Sequence, residues 1–464
     1  MTFDSTDVAQ ATSGGRLLPL YKFLAGSSLV AASLASTLAP AFAADDLWTR
    51  QRASGDWGGT RSDWKEAGID LRYNYVSETA TVLDGGYDPA RTARYSDQHL
   101  FGGLFDLDKL FGWSDAEFKI TVTSRYGKDI TVDRITDPRA RSIGSSVQEI
   151  YGFGQTWRFT HLFYRQQFLD KKLDVKIGRM PMGDDVDVFG CSFVNLAFCG
   201  ALAARATGIW FNWPISQYGL RLRWNFSPEW YAQSAVFAFQ PKHVEHGNGL
   251  KFGEARRSNV YLNEIGYLPK LGEQKLPGTY LLGAYYSSGM ARDQLYDDNG
   301  DPAILSGEPL RVHSGRHGAW LMLKQQVATH GGSVKRGPSL FLHLTGNDQD
   351  TARMDYQIQA GFTDMGLFDA RPQDEIGFAV SKMHLNSRYT RRQELQNELR
   401  GVSDYDDPLY QPVQTAEYAA ELFYGYKPSP WLLLQPGLQY LHQPGGTDEV
   451  DDATVLSFKI SATF

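Results

Sequence analysis

Eight charged residues stand at alternate positions in stretches whose other positions carry aliphatic and aromatic side chains: Arg72, Glu117, Arg125, Arg221, Arg223, Glu264, Glu417 and Glu421. Guanidinium and carboxylate groups so arranged can hydrogen-bond a polyhydroxylated solute while an aromatic ring stacks on its apolar face. The same charges can equally be solvated ions along a wet wall. Cys191 and Cys199, in "CSFVNLAFC", are the two cysteines of the chain. In an oxidising compartment they can close a small loop, and otherwise they are two free thiols. Neither a second cysteine pair nor a nearby histidine completes a metal site. Covalent chemistry has little support: the chain carries no G-x-S-x-G elbow, H-E-x-x-H pair or P-loop. "GGSVKRG" lacks the hydroxyl that would hold Mg²⁺. His313 and His317 are placed in a loop approaching a strand, and the acidic runs "DDNGD" and "DYDD" lack EF-hand spacing. No cofactor or metal is expected.

The elements that must position these charges are strands. "AEFKITVTSRY" sets Phe118, Ile120, Val122 and Tyr126 against Glu117, Lys119 and Arg125. "YGLRLRWNF" opposes Leu220, Leu222 and Trp224 to Arg221 and Arg223, and "AEYAAELFYGY" opposes Tyr418, Leu422 and Tyr426 to Glu417 and Glu421. Period two marks strands with one oily and one wet face. Strands of about nine to eleven residues, aromatic near their ends and rich in charge on one face, read as a transmembrane antiparallel β-barrel with its oily side outward. Seventeen candidates start near residues 69, 97, 115, 155, 172, 205, 218, 230, 258, 277, 316, 338, 354, 374, 414, 430 and 453. "TGIWFNWP" is short and ends at Pro214, so it is assigned to a loop. About sixteen strands remain. Short connections alternate with long ones, approximately 81–96, 127–154, 181–217, 241–257, 289–315, 385–413 and 443–452. In outer-membrane barrels the short side is periplasmic. The closing strand "TVLSFKISATF" must pair with the first to remove both edges.

The charge balance, −7 from 46 Lys+Arg against 53 Asp+Glu, argues against a nucleic-acid partner bound through a broad basic surface. Arg16 and Lys22 precede an apolar run that ends in Ala41-Phe42-Ala43. Residues 1–43 therefore read as a cleaved signal peptide, 44–68 as a periplasmic segment and 69–464 as the barrel. Within 44–68, Thr60 is placed as the cap of a short helix ended by Gly68. No later apolar run approaches the ~20 residues of a membrane helix. The 181–217 loop carries Phe189, Phe193, Leu196 and Phe198. Folding into the barrel mouth would bury these and narrow the pore, with the cysteine pair as a clip; packing on neighbouring loops is the alternative.

"GDWGGTRSDWKEAGIDL", "YRQQFLDKKLDVKIGRMPMGDD", "NLAFCG", "LPGTYLLGAYYSS" and "LQPGLQYLHQPGG" with "ATVLSFKISATF" resemble the carbohydrate-selective OprB-type porins, in family order from about residue 54 onward. The resemblance implies a sixteen-stranded outer-membrane barrel that passes monosaccharides such as glucose by facilitated diffusion, without cofactor or covalent chemistry. It places Arg179, Gly183, Asp184, Asp185, Asn195 and Cys199 in the block that shapes the pore. The partners it implies are small sugars, outer-membrane lipid and lipopolysaccharide, with a terminal strand ending at Phe464 that resembles the signal read by barrel-assembly machinery. Monomer and trimer both stay open. The segment "RRQELQNELRGVSDYDDPLYQP" departs from the family pattern and bears on which solute is taken. The competing readings are a general or anion-preferring pore, an outer-membrane barrel hydrolase and an adhesive barrel. The hydrolase needs a Ser–His pair on the lipid face, whereas alternation puts His343 inside, opposite Leu342 and Leu344.

Overall fold

The computed structural model describes residues 46–143, 145–151, 156–253 and 256–464. The expected signal peptide, 1–43, lies outside the described residues. Among those described, one antiparallel sheet holds seventeen strands, one of them only the two-residue rung Lys270–Leu271. The other sixteen run β1 (Ile69–Asp84), β2 (Ala93–Asp106), β3 (Ala116–Gly127), β4 (Trp157–Phe168), β5 (Leu173–Met180), β6 (Gln217–Asn225), β7 (Trp230–Phe239) and β8 (Ser258–Tyr267) in the first half. The second half is β9 (Leu276–Asp297), β10 (Leu310–Gln326), β11 (Gly337–Asn347), β12 (Met354–Met365), β13 (Glu375–Leu385), β14 (Ala416–Ser429), β15 (Leu432–His442) and β16 (Ala453–Thr463). Each pairs with its sequence neighbours, and β1 pairs with β16, so the wall closes.

Closure follows from the alternation. Outward positions such as Ile177 (52 % exposed) and Leu282 (56 %) are bare apolar surface, whereas inward Glu417 and Glu421 are buried at 0 % and 1 %. An apolar face exposed all round the wall is stable only against lipid. At the seam, Glu78 stands directly opposite Lys459. The Lys459 ammonium lies 3.3 Å from the Glu78 carboxylate and 3.2 Å from that of Glu149, a residue of the loop after β3. Both seam residues face inward, so the wall is locked by an ion pair that lipid never reaches.

Candidate strand 205 is absent, as assigned: Ala203–Thr207 form one helical turn, and a cis Trp213–Pro214 bond precedes β6. Other details differ from the sequence reading. Residues 289–315 are mostly wall, because β9 and β10 extend into a long hairpin whose loop is only 298–309. His313 and His317 therefore lie on β10, and His313 pairs with Asp293 at 3.0 Å. The loop at 385–413 holds a helix, α2 (Ser387–Arg400), opened by the Asn386 side chain, which accepts from Arg388 N–H. The first helix, α1 (Thr60–Glu66), is present, but Thr60 is not its cap. Thr60 already has helical backbone angles (φ −56°, ψ −37°), so the acceptor comes from further ahead: Asp56 accepts from the backbone N–H and hydroxyl of Ser62. The segment before β1 joins the short-turn rim through Arg52 to Asp70, 2.8 Å, and Ala53 N–H to the Thr463 carbonyl, 2.8 Å.

Candidate functional site

Two long connections fold into the lumen and bond to its inner wall. The loop 181–216 is fixed by its own backbone. Glu421 on β14 accepts the N–H groups of Val194 and Asn195 at 2.8 and 2.7 Å, and Asn195 donates through its amide to Gln439 on β15 at 3.0 Å. Further round, Glu264 on β8 accepts Asp187 N–H at 2.7 Å. His343 on β11 donates to the Asp187 carboxylate at 2.5 Å, and Gln359 donates to the other ring nitrogen of His343 at 3.0 Å. Cys191 and Cys199 are joined as a disulfide. Phe193 and Phe198 are buried in this loop with Ala197, against Phe341 and Phe423 of the wall. The second loop, 128–156, lies against the first: Glu149 N–H donates to the Val194 carbonyl and Leu196 N–H to the Ser146 carbonyl.

Glu264 shows how the local sequence builds such an anchor. Besides Asp187 it accepts from Tyr231 O–H at 3.0 Å, Gln233 at 2.8 Å and Trp320 Nε1–H at 2.9 Å. Tyr231 faces Gly266 and Trp320 faces Gly283 across the strands. A Cβ at either glycine would come within 2.1 Å of the ring lying on it. Glycine at these two positions lets both rings lie flat and aim their polar tips at one carboxylate.

The unfilled lumen on the short-turn side of loop 181–216 is a chamber of about 610 Å³. Glu117, Arg165, Asp174, Lys176, Arg221 and Arg223 project into it from β3 to β6, and Asp184, Asp185 and Phe189 from the loop. Arg165 bonds Asp174 at 2.9 Å and Glu117 at 3.3 Å; Arg221 bonds Asp174 at 2.9 Å; Lys176 bonds Asp185 at 2.8 Å. His161 donates to Asp184 at 2.6 Å. Burial pushes the Asp184 carboxyl up, but His161 and the Lys176 and Lys119 charges outweigh it, and the group is held below its ordinary value. Arg223 lies flat on Tyr231, 3.6 Å from the ring centroid. The lining is a mixture of fixed charge and apolar ring, of the kind that can meet both faces of a hydroxylated solute.

The sequence-derived residues divide between two tasks. Glu117, Arg221, Arg223, Asp184 and Asp185 face the chamber. Glu264, Glu421 and Asn195 hold loop 181–216, and Glu417 accepts Gly445 N–H of the loop 443–452 at 2.7 Å. These carboxylates are on the predicted face, but both oxygens of Glu264 and of Glu421, and one of Glu417, accept from protein. Arg125 is buried on Gln98 at 2.8 Å. Arg179 donates to Ser216 and to the Lys251 carbonyl at 2.8 and 2.7 Å, tying down the loop 240–257. Arg72 pairs with Asp70 at 2.7 Å and borders a smaller cavity of about 240 Å³ beside Lys119 and Trp213. Gly183 sits where a Cβ would meet the Asn212 amide at 2.2 Å.

The chamber residues that the sequence did not disclose include Arg165, Asp174, Lys176, Tyr231 and Lys324. "LDVKIGRM" does alternate, and Asp174 and Lys176 were there to be found. Arg165 was masked by a bulge: the register between β3 and β4 shifts at Thr121/Val122, so Thr160 and His161 both turn inward and simple alternation along β4 fails.

Comparison with known proteins agrees with this geometry. The family model described as "Carbohydrate-selective porin, OprB family" matches residues 90–464. Porin B of Pseudomonas aeruginosa is 46 % identical over 433 residues, covering 93 % of this chain and 94 % of that one. A putative porin, QuiX, of Acinetobacter baylyi is 37 % identical over 434 residues, covering 91 % and 95 %. The high-pH structure of Pseudomonas putida OprB superimposes with a TM-score of 0.89 at 45 % identity, over 90 % of this chain and all of that one (100 %).

Proposed function

The chain belongs to the OprB family of carbohydrate-selective porins, and from that premise we propose that it passes neutral monosaccharides such as glucose by passive diffusion, with loop 181–216 as the constriction. It is an outer-membrane channel and not an enzyme. The observation that carries the proposal is the anchoring of that loop inside the wall by Glu264 and Glu421, beside a chamber in which Arg165, Arg221, Asp174 and Asp185 alternate donors with acceptors. A sugar crossing it exchanges water for paired donors and acceptors at little net cost, while Val188 and Phe189 of the loop offer surface to its C–H faces. The short-turn rim, with the segment before β1, is periplasmic, and residues 1–43 are the export signal. Lipid and lipopolysaccharide meet the outer wall, and assembly machinery reads the strand ending at Phe464.

The test is single-channel conductance of refolded protein titrated with glucose and then with a disaccharide. Saturable block by glucose is expected. Current indifferent to glucose would leave a pore without a sugar site. The lumen favours this reading over a plugged adhesive barrel because an open, charged chamber of about 610 Å³ remains beside the folded loops.

A further inference from the structure

The four carboxylates that face the chamber are all matched. Glu117 has Arg165 at 3.3 Å, Asp174 has Arg221 at 2.9 Å, Asp184 has His161 at 2.6 Å and Asp185 has Lys176 at 2.8 Å. The cations are not all matched. Among the described residues, no carboxylate forms an ion pair with Arg223 or with Lys324, and both line the same chamber.

Arg223 is also presented in a fixed pose. Its Nε donates to Asn225 at 2.9 Å, and its guanidinium plane rests 3.6 Å from the Tyr231 ring centroid. Tyr231 cannot swing away, because its ring lies over Gly266 and its hydroxyl is bonded to Glu264 at 3.0 Å. The two terminal nitrogens of Arg223 have no hydrogen-bond partner among the described residues. A guanidinium whose Nε is occupied and whose face is stacked offers its remaining edge to a planar, doubly accepting anion. Leu281 and Met322 continue the register row of Tyr231 beyond Gly266 and pack with it, adding apolar surface to the chamber.

We propose that the chamber takes monoanionic sugar acids, hexonates and hexuronates, in preference to the neutral sugars of the same size, with Arg223 binding the carboxylate edge-on and Lys324 adding to the positive potential. This rests on the reading of the chamber as the sugar path. A neutral sugar gains one hydroxyl contact at Arg223, whereas a carboxylate gains two charge-assisted bonds. The hydroxyl groups then use the Arg165–Asp174 and Lys176–Asp185 pairs as a neutral sugar would.

The experiment is single-channel recording in which glucose, gluconate and acetate are compared as blockers on the wild type, Arg223→Gln, Arg223→Lys and Lys324→Gln. On the wild type, gluconate should block at a concentration about tenfold below glucose, and acetate should block no better than glucose. Arg223→Gln should abolish that tenfold preference, Arg223→Lys should lose most of it despite keeping the charge, and Lys324→Gln should reduce it by roughly twofold. Glucose block without a gluconate preference in the wild type overturns the inference and leaves the sugar path standing. Acetate matching gluconate overturns it too, since the site would then read charge alone. Absence of block by either sugar overturns both readings. The wild-type comparison decides even if a variant fails to fold.

Discussion

Two arcs of the same wall carry the same kinds of residue and use them differently. From β3 to β6, the inward charges pair with one another and look onto open chamber. From β8 round to β14, Glu264, Glu417 and Glu421 turn their oxygens to backbone N–H groups of incoming loops. An ion pair between neighbouring strands leaves room for a solute. A carboxylate that caps a loop backbone removes that room and fixes the shape of what is left. One arc thus presents paired charges to the chamber, and the other holds loop 181–216 in the lumen.

Both arcs depend on closure of the wall at the β1–β16 seam. Lys459→Met would leave Glu78 and Glu149 facing each other without a cation, at a cost of about 3–5 kcal/mol. The denaturation midpoint of the detergent-solubilised barrel should fall markedly, and an unchanged midpoint would show that the seam charges do not lock closure. Glu421→Ala should act next. It strips the acceptors from Val194 and Asn195, about 1–3 kcal/mol for each donor left buried, and it should raise conductance and current noise with little change in the barrel's own midpoint. Arg221→Gln, on the other arc, should leave conductance near wild type and weaken glucose block by about fivefold, roughly 1 kcal/mol. Reduction of Cys191–Cys199 removes a clip of sequence separation 8 worth about 2–3 kcal/mol to the loop, so the barrel should stay folded while open-channel noise grows.

Acid and base should act on the two lumen loops in opposite senses, with the smallest effect. Asp184 is held below its ordinary value of 3.8, so its contact with His161 is complete above that pH and is lost as the pH falls below it. Burial raises Asp129, in loop 128–156, to about 6 against hydrogen bonds from Thr131 and Ser146. Its contribution is complete below 3.8 and fades as the pH rises through about 6. Current noise recorded between about pH 3 and pH 8 should therefore rise at both ends, and Asp129→Asn should remove the rise above pH 6 alone.

The sequence was most legible where one rule acts alone. Alternation found all sixteen strands, with only the long hairpin of β9 and β10 running well past its expected ends, and the Pro214 stretch is no strand because a proline cannot donate to a ladder. It also put His343 and every named charge on the inner face. What it did not disclose was partnership. Whether Glu117 or Glu421 meets solute depends on which loop backbone arrives opposite it, and that contact spans 227 residues for Val194 and Glu421. The burial of the second loop, 128–156, was missed for the same reason: its polar residues Gln148 and Glu149 find partners only inside the wall. The bulge that turns His161 inward leaves no mark in residue types, since threonine and histidine suit either face.

If loop 181–216, held by Glu264 and Glu421, sets the sugar path, loosening it must change both conductance and block. Single-channel recording of the Glu264→Ala, Glu421→Ala double variant under a glucose titration tests it most directly. A folded barrel with larger conductance and glucose block weakened about tenfold or more is expected, as two anchors are lost together. Wild-type conductance with wild-type block would contradict it, and would place the constriction elsewhere in the lumen.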